Sequence, residues 1–334
     1  MCTASVAMKM RALTLFVYSC LPMVAFAQAS AAGFPNKPIT IIVPFAAGGP
    51  VDSVARGIAE PMARLLKQPV VIENVSGAAG TIGVTRATKA RADGYTLVLG
   101  HSGTHAFNAA LYPALPYKPV EDFSPIAMLA TMPSVLSVPA SSKFKSVNDL
   151  IEFARANPGR LNFGNAGSGS ASHLATMMLI DSARIQVAFV PYRGSAPAFT
   201  DLMAGQIDAL FDASVQAVPM SLGGRVLPLG VTSSKRLSAM PKVPTLEETC
   251  CRDLSLEIWY GLFAPKGTPE SVLRILELAA TSSLADRRYR ENMHRANVNI
   301  PDVGRASRAQ LEASMRRDMV RFADVARRTN TKAE

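Results

Sequence analysis

The chain is poor in the residues that most often carry chemistry. Its 334 residues include only four cysteines and four histidines. Cys2 and Cys20 fall within the first 27 residues, and Cys250 and Cys251 are neighbours with no metal-ligand spacing around them. A bond between adjacent cysteines is uncommon. The pair therefore reads as structurally incidental, with an intermolecular disulfide as the other option. No cofactor and no metal are expected. Low-complexity segments and solenoid-type repeats are also lacking. Ala12 to Ala27 is apolar, but it is too short, and too interrupted by Pro22, for a permanent membrane span.

What this leader does contain is a basic start, Lys9 and Arg11, then the apolar run, then Ala25-Phe26-Ala27 before Gln28. That is the layout of a secretory signal peptide, residues 1–27, and it predicts a periplasmic protein. A lipoprotein anchor at Val17-Tyr18-Ser19-Cys20 fits less well, because Tyr18 suits the cleavage box poorly. Without the leader the formal charge falls from +10 to +8. The excess sits near the C-terminus, from Arg287 to Arg328, where arginines alternate with Glu291, Glu312, Asp318 and Asp324. This pattern reads as a solvated helix face, and no nucleic-acid partner is expected.

The remaining length suits two compact domains. Ile39 to Val43 is a β-branched run that stops at Pro44, passes the small residues Ala46-Ala47-Gly48-Gly49, and enters an amphipathic helix from Asp52 to Leu66. A helix N-terminus has free N–H groups and a partial positive charge, and a loop without side chains lets an anion approach them. The construction recurs at Leu161 to His173, where Gly164-Asn165-Ala166-Gly167-Ser168-Gly169-Ser170 precedes a helix from Ser172 to Asp181. Two such loops suggest two lobes gripping one small anion.

Further elements alternate in βαβ order: strands at Val70 to Asn74 and Thr96 to Leu99, with a helix from Gly77 to Ala90 between them. A second unit has helices at Ser146 to Ala156 and Pro197 to Ala204, and strands at Leu161 to Gly164, Gln186 to Val190 and Ile207 to Phe211. This order argues for an α/β fold with a mostly parallel sheet and ligands at the strands' C-terminal ends. Ile126 to Val138 and Leu256 to Pro265 read as crossovers between the units. The chain leaves the first lobe and returns to it, which favours a hinged clamshell.

These residues form an ordered series: Pro44-Phe45-Ala46-Ala47-Gly48-Gly49-Pro50-Val51-Asp52, Glu73-Asn74, Gly77-Ala78-Ala79-Gly80, Ala92-Asp93-Gly94-Tyr95, Asn157-Pro158-Gly159, Ser168-Gly169-Ser170-Ala171-Ser172-His173, Val190-Pro191-Tyr192-Arg193-Gly194, Asp201-Leu202-Met203-Ala204-Gly205 and Trp259-Tyr260-Gly261. The series resembles the extracytoplasmic receptors of tripartite tricarboxylate transporters, the Bug-type solute-binding proteins. One departure is Val75-Ser76, where that family usually has Arg-Pro. The resemblance implies a two-lobed periplasmic binding protein type II fold. The lobes would comprise residues 34–132 plus 258–334, and residues 133–257. It also implies a small carboxylate ligand held by backbone N–H groups and ordered waters, delivery to integral-membrane permease subunits, and no enzymatic activity. The expected working form is a monomer.

Within that frame Phe45, Ala46, Ala47, Gly48 and Gly49 form one half of a carboxylate cradle, and Asn165, Ala166, Gly167, Ser168 and Ser170 the other. Asp52 is awkward for an anion site. It caps its helix or holds a bridging water. His173, on a first helical turn, reaches the ligand or bonds a neighbour. Ser102, Thr104 and His105 follow a strand end and would line the cleft. Tyr192 and Asp212 follow strand ends in the second lobe, and Asp212 is the candidate partner for a ligand ammonium should the ligand be an amino acid. Trp259 and Tyr260 read as core or hinge packing.

Three rival readings are weaker. Gly100-His101-Ser102-Gly103-Thr104 misses the hydrolase elbow Gly-x-Ser-x-Gly at its last position, and beyond the adjoining His105 only His173 and His294 follow it. Gly167 to Ser172 misses the dinucleotide fingerprint by one residue, and no acidic residue ends the next strand. A receptor feeding a signalling partner would share the ligand-binding fold and differ only in what it docks on.

Overall fold

The computed structural model describes residues 33–331 apart from residue 253; the expected leader lies outside the described residues. In chain order the elements are β1 (Ile39–Val43), α1 (Pro50–Leu66), β2 (Val70–Asn74), α2 (Thr81–Thr88), β3 (Thr96–His101), α3 (Asn108–Leu111), β4 (Phe123–Pro139), α4 (Val147–Ala156), β5 (Asn162–Asn165) and α5 (Ala171–Ala183). They continue as β6 (Ala188–Pro191), α6 (Ser195–Met203), β7 (Ala209–Ala213), α7 (Ser214–Leu222), β8 (Val226–Val231), α8 (Leu246–Thr249), β9 (Glu257–Pro265), α9 (Glu270–Ser283), α10 (Arg287–Arg295) and α11 (Arg308–Arg328).

The strands run in the order β2-β1-β3-β9-β4-β7-β5-β6, with β8 added alongside β4. Both βαβ units are parallel as expected: β1 with β2 and β3, and β5 with β6 and β7. The two segments expected as crossovers are themselves strands, and they run antiparallel. β4 is 17 residues long, about three times an ordinary strand. From Phe123 to Pro133 it pairs with β9; from Ser134 to Pro139 it pairs with β7 and β8. One strand thus belongs to both sheets, and β9 returns the chain beside it to β3. The fold is the two-lobed α/β arrangement of periplasmic binding proteins.

Local chemistry explains the element boundaries. β1 is almost wholly Ile, Thr and Val, stiff at χ1 and buried on both faces. The helix expected from Asp52 starts at Pro50. Proline needs no N–H at the first helical position, and Gly49 is its N-cap. The helix expected from Gly77 is instead a 3₁₀ turn over Ala78–Gly80, with α2 starting at Thr81. Gly77, Ala78, Ala79 and Gly80 all have positive φ, and no right-handed helix continues through such a run. α4 begins with a capping box in which Ser146 and Asp149 exchange side-chain bonds to each other's N–H. The strand expected at Ile207 to Phe211 runs to Ala213 and so contains Asp212.

The core is one large apolar body around both sheets, with a smaller one in the second lobe that includes Val135, Phe199, Leu202 and Val218. Cys250 and Cys251 are paired with each other. Cys251 is buried in the core. The C-terminal arginines are a solvated, charge-paired face: Arg316 with Glu312, Arg327 with Asp324, and Arg328 with Asp181. Such exposed pairs contribute little each. Asp318 is the exception, buried and accepting from Trp259 Nε1 at 2.8 Å. That bond ties α11 to β9, the returning crossover. Among the described residues no helix is long and apolar enough to cross a membrane.

Candidate functional site

The first loop connects β1 to α1. Ala46, Ala47 and Gly48 are exposed, and Phe45 and Gly49 are half-buried. Gly48 has φ +80°, a left-handed conformation that suits glycine. Its N–H donates to Asp52 Oδ2 at 2.9 Å. The same oxygen accepts from Arg56 Nε at 2.8 Å, and Asp52 Oδ1 accepts from Asn74 Nδ2 at 2.9 Å. Asp52 therefore braces the loop. Burial works against its charge, but Arg56, the Gly48 N–H and Asn74 together hold its carboxyl below the usual range. With Gly48 so engaged, the loop N–H groups of Phe45, Ala46, Ala47 and Gly49 have no partner among the described residues.

The second loop connects β5 to α5 and is spent differently. The Ala166 N–H donates to Ser172 Oγ, the Gly167 N–H to Asn165 Oδ1, the Gly169 N–H to His173 Nδ1, and the Ser170 N–H to the Gly167 carbonyl. Ser170 is the N-cap of α5 and accepts from the His173 N–H. Most of the donors assigned to this half of the cradle are thus internally committed. The Ser168 N–H and the first amides of α5 remain. His173 is buried against Phe107 and Phe189 and serves its neighbour Gly169. Burial lowers its pKa to about 4, so it stays neutral and able to accept.

Each loop touches the opposite lobe. Gln216, in the first turn of α7, donates from Nε2 to the Gly48 carbonyl at 3.2 Å. Tyr112 donates from its hydroxyl to the Ser168 carbonyl at 2.6 Å. A Cβ added at Gly167 would lie 3.7 Å from Ala79 Cβ. Ala78 and Ala79, at φ +44° and +50°, are left-handed without being glycine. Such residues cost roughly 1–2 kcal/mol each, and here they sit where the lobes touch. Near this junction three buried oxygens have no hydrogen-bond partner among the described residues: Thr81 Oγ1, Asp212 Oδ2 and Gln216 Oε1.

Asp212 is 5% exposed. Its Oδ1 accepts from Ser195 Oγ at 3.0 Å and from the Ala213 N–H at 2.7 Å, while Oδ2 is bare. Burial pushes the carboxyl up to about 7 against those two bonds. Its charge adds to burial in raising the Tyr260 phenol, which places Asp212 close to β9. Tyr260 meets His101 edge-on at 5.9 Å, and His101 stacks on Phe45 at 5.1 Å.

Other expected site residues lie away from open solvent. Ser102 and Thr104 are fully buried, with Gly103–Phe107 forming a π-helical turn. Ser102 Oγ accepts from the Trp259 N–H, and Thr104 Oγ1 bonds the His101 backbone and His105. This cluster supports the loops from behind. The Tyr192 hydroxyl donates to Asp201 Oδ2 at 2.7 Å, so it serves α6; burial and that carboxylate push it up to about 12.

A family model described as the tripartite tricarboxylate transporter family receptor matches residues 54–320. The chain belongs to this receptor family. It is 42% identical over 253 residues, 75% of each chain, to a UPF0065 protein in the tcbD-tcbE intergenic region of Pseudomonas sp. strain P51. The structure of the periplasmic binding protein BugD matches with a TM-score of 0.84 at 33% identity, covering 90% of this chain and all of that one. MatC of Rhodopseudomonas palustris, solved with bound malate, matches with a TM-score of 0.83 at 36% identity, covering 87% of this chain and 99% of the other. This receptor is thus of the Bug type, a member of a family of periplasmic solute-binding proteins. Its glycine loops were legible from sequence; Gln216, Thr81 and Tyr112 were not. Gln216 follows Asp212 by four residues, across the β7–α7 boundary. Tyr112 carried no sequence signal.

Proposed function

We propose that this receptor is exported by residues 1–27, works as a monomer in the periplasm, and captures a small carboxylate for delivery to integral-membrane permease subunits. The lobes would divide as residues 34–132 plus 258–334, and 133–257, and would hinge where β4 passes from one sheet to the other and where the chain returns into β9. The observation that carries this reading is the pair of strand–loop–helix turns, free of Lys and Arg, each set against the opposite lobe. Open N–H groups and helix N-termini then supply the attraction for the anion. Closure replaces water with fixed backbone dipoles and needs no covalent step. MatC with its malate supports the ligand class.

The test is a thermal-shift screen of protein unfolded and refolded to remove bound ligand, run against dicarboxylates, tricarboxylates, amino acids and aromatic acids. A ligand at 100 times its Kd stabilises by about 2.7 kcal/mol. A shift confined to one acid class supports the reading and names the ligand. No shift with any carboxylate overturns it.

A further inference from the structure

The second lobe presents acceptors where a carboxylate receptor would be expected to present donors. Asp212 is a buried carboxylate with both of its protein donors on Oδ1 and none on Oδ2. Among the described residues no Lys or Arg pairs with it. Gln216 has its Nε2 engaged with the Gly48 carbonyl, which fixes the amide orientation and leaves Oε1 as the free acceptor. The two residues lie four apart, at the end of β7 and in the first turn of α7. Gln216 also reaches the first loop, so its acceptor borders the proposed cradle, with Asp212 four residues before it in the chain.

A buried charge with a bare oxygen is costly unless something donates to it. A plain carboxylate ligand would worsen the account, because it brings more acceptors and more negative charge. A ligand with an ammonium group reverses it, supplying the missing countercharge and N–H donors for both oxygens. Burial that pushes the Asp212 carboxyl up to about 7 is the same cost seen from the other side.

Resting on the carboxylate-receptor reading, we propose that the ligand is an amino-substituted carboxylate whose ammonium is received by Asp212 Oδ2 and Gln216 Oε1. Its carboxylate lies on the N–H groups of the first loop, so the two ends of the ligand bridge the lobes. Gln216 acts twice, as ligand acceptor and as a latch on Gly48.

The test is calorimetry on the purified, ligand-stripped protein at pH 8, using acids in matched pairs with and without the amino group: succinate and aspartate, glutarate and glutamate, adipate and 2-aminoadipate, phenylpropionate and phenylalanine. Malate tests a hydroxyl donor. The expected result is that the amino member of one pair binds at least about 30-fold tighter than its partner and tighter than malate. Asp212→Asn should reduce that preference to within about 3-fold. Gln216→Ala, at a half-buried helix position, should reduce it about 10-fold. If Asp212→Asn fails to fold by circular dichroism, Gln216→Ala carries the test. Equal binding within every pair, or a preference for the unsubstituted or hydroxy acid, overturns the proposal and leaves the receptor reading standing. No binding by any acid overturns both.

Discussion

The two glycine loops share one sequence pattern and end up with different jobs. The first is open: Ala46, Ala47 and Gly48 are exposed, and a single N–H is taken by Asp52. The second is closed on itself: four of its N–H groups go to Ser172, Asn165, His173 and Gly167. A strand, small residues and a helix start guarantee a tight turn with N–H groups near one another. They do not say whether nearby side chains will use those groups. Asn165, Ser170, Ser172 and His173 are polar residues within reach of their own loop, and local side-chain bonds to backbone compete successfully there. The first loop has only Asp52 and Ser53 to do so.

The comparison can be broken most forcefully with acid. Each loop rests on a buried neutral histidine: His101 Nδ1 accepts from the Gly103 N–H behind the first loop, and His173 Nδ1 accepts from the Gly169 N–H in the second. Burial lowers His101 and His105 to about 3 and His173 to about 4, below their ordinary 6.5. The unfolded chain therefore takes up protons first. The stability these groups contribute is present above pH 6.5 and lost as pH falls toward their folded values. At pH 5 the loss is roughly 2 kcal/mol per histidine. Urea unfolding between pH 8 and 4.5 should show the slope, and His173→Gln should flatten part of it; a midpoint constant over this window would mean these rings are not held neutral by burial.

Substituting the glycines tests each loop in turn. Gly48 has open space around a φ of +80°, whereas a side chain at Gly167, φ +109°, would abut Ala79 and the Tyr192 carbonyl. Gly48→Val should weaken carboxylate binding about 100-fold, near 2.7 kcal/mol, with a stability loss of only about 1–2 kcal/mol from the left-handed backbone. Gly167→Val should weaken it comparably by opposing closure. Retained affinity in both variants would sink the cradle assignment.

Bracing residues come next. Asp52→Ala leaves the Gly48 N–H without its acceptor and frees Arg56; the expected loss is about 1–3 kcal/mol of stability. Asn165→Ala removes the corresponding acceptor of the Gly167 N–H and should cost about 1 kcal/mol. Chemical denaturation of the two variants ranks them. The smallest effect belongs to Ser168→Ala. Its hydroxyl makes no hydrogen bond among the described residues, and the Tyr112 bond goes to its carbonyl, so stability should stay within about 0.5 kcal/mol. A large change would mean that the side chain, and not the backbone, shapes this loop.

Much of the architecture was legible in residue order. β1, β2 and β5 fall where β-branched and apolar runs stop at Pro, Asn or Gly, because side-chain sterics and turn chemistry act over a few residues. The long crossovers were seen as segments but not as paired strands, since β4 and β9 find each other across more than a hundred residues. The run from Gly77 to Gly83 read as a helix because composition does not reveal φ; Ala78 and Ala79 become left-handed only in this tertiary setting. Tyr192 and Ser102 were plausible cleft residues by position, yet Asp201 and Trp259 claim their polar atoms.

The sequence by itself determined the alternation of strands and helices, the two small-residue loops and the double crossing between lobes, because periodicity, glycine placement and proline breaks are local properties. The tertiary structure decided which N–H groups remain free, that Gln216 reaches the first loop, and that Asp212 is buried with one bare oxygen. Those depend on which side chains fill each space, and neighbours distant in the chain set the outcome.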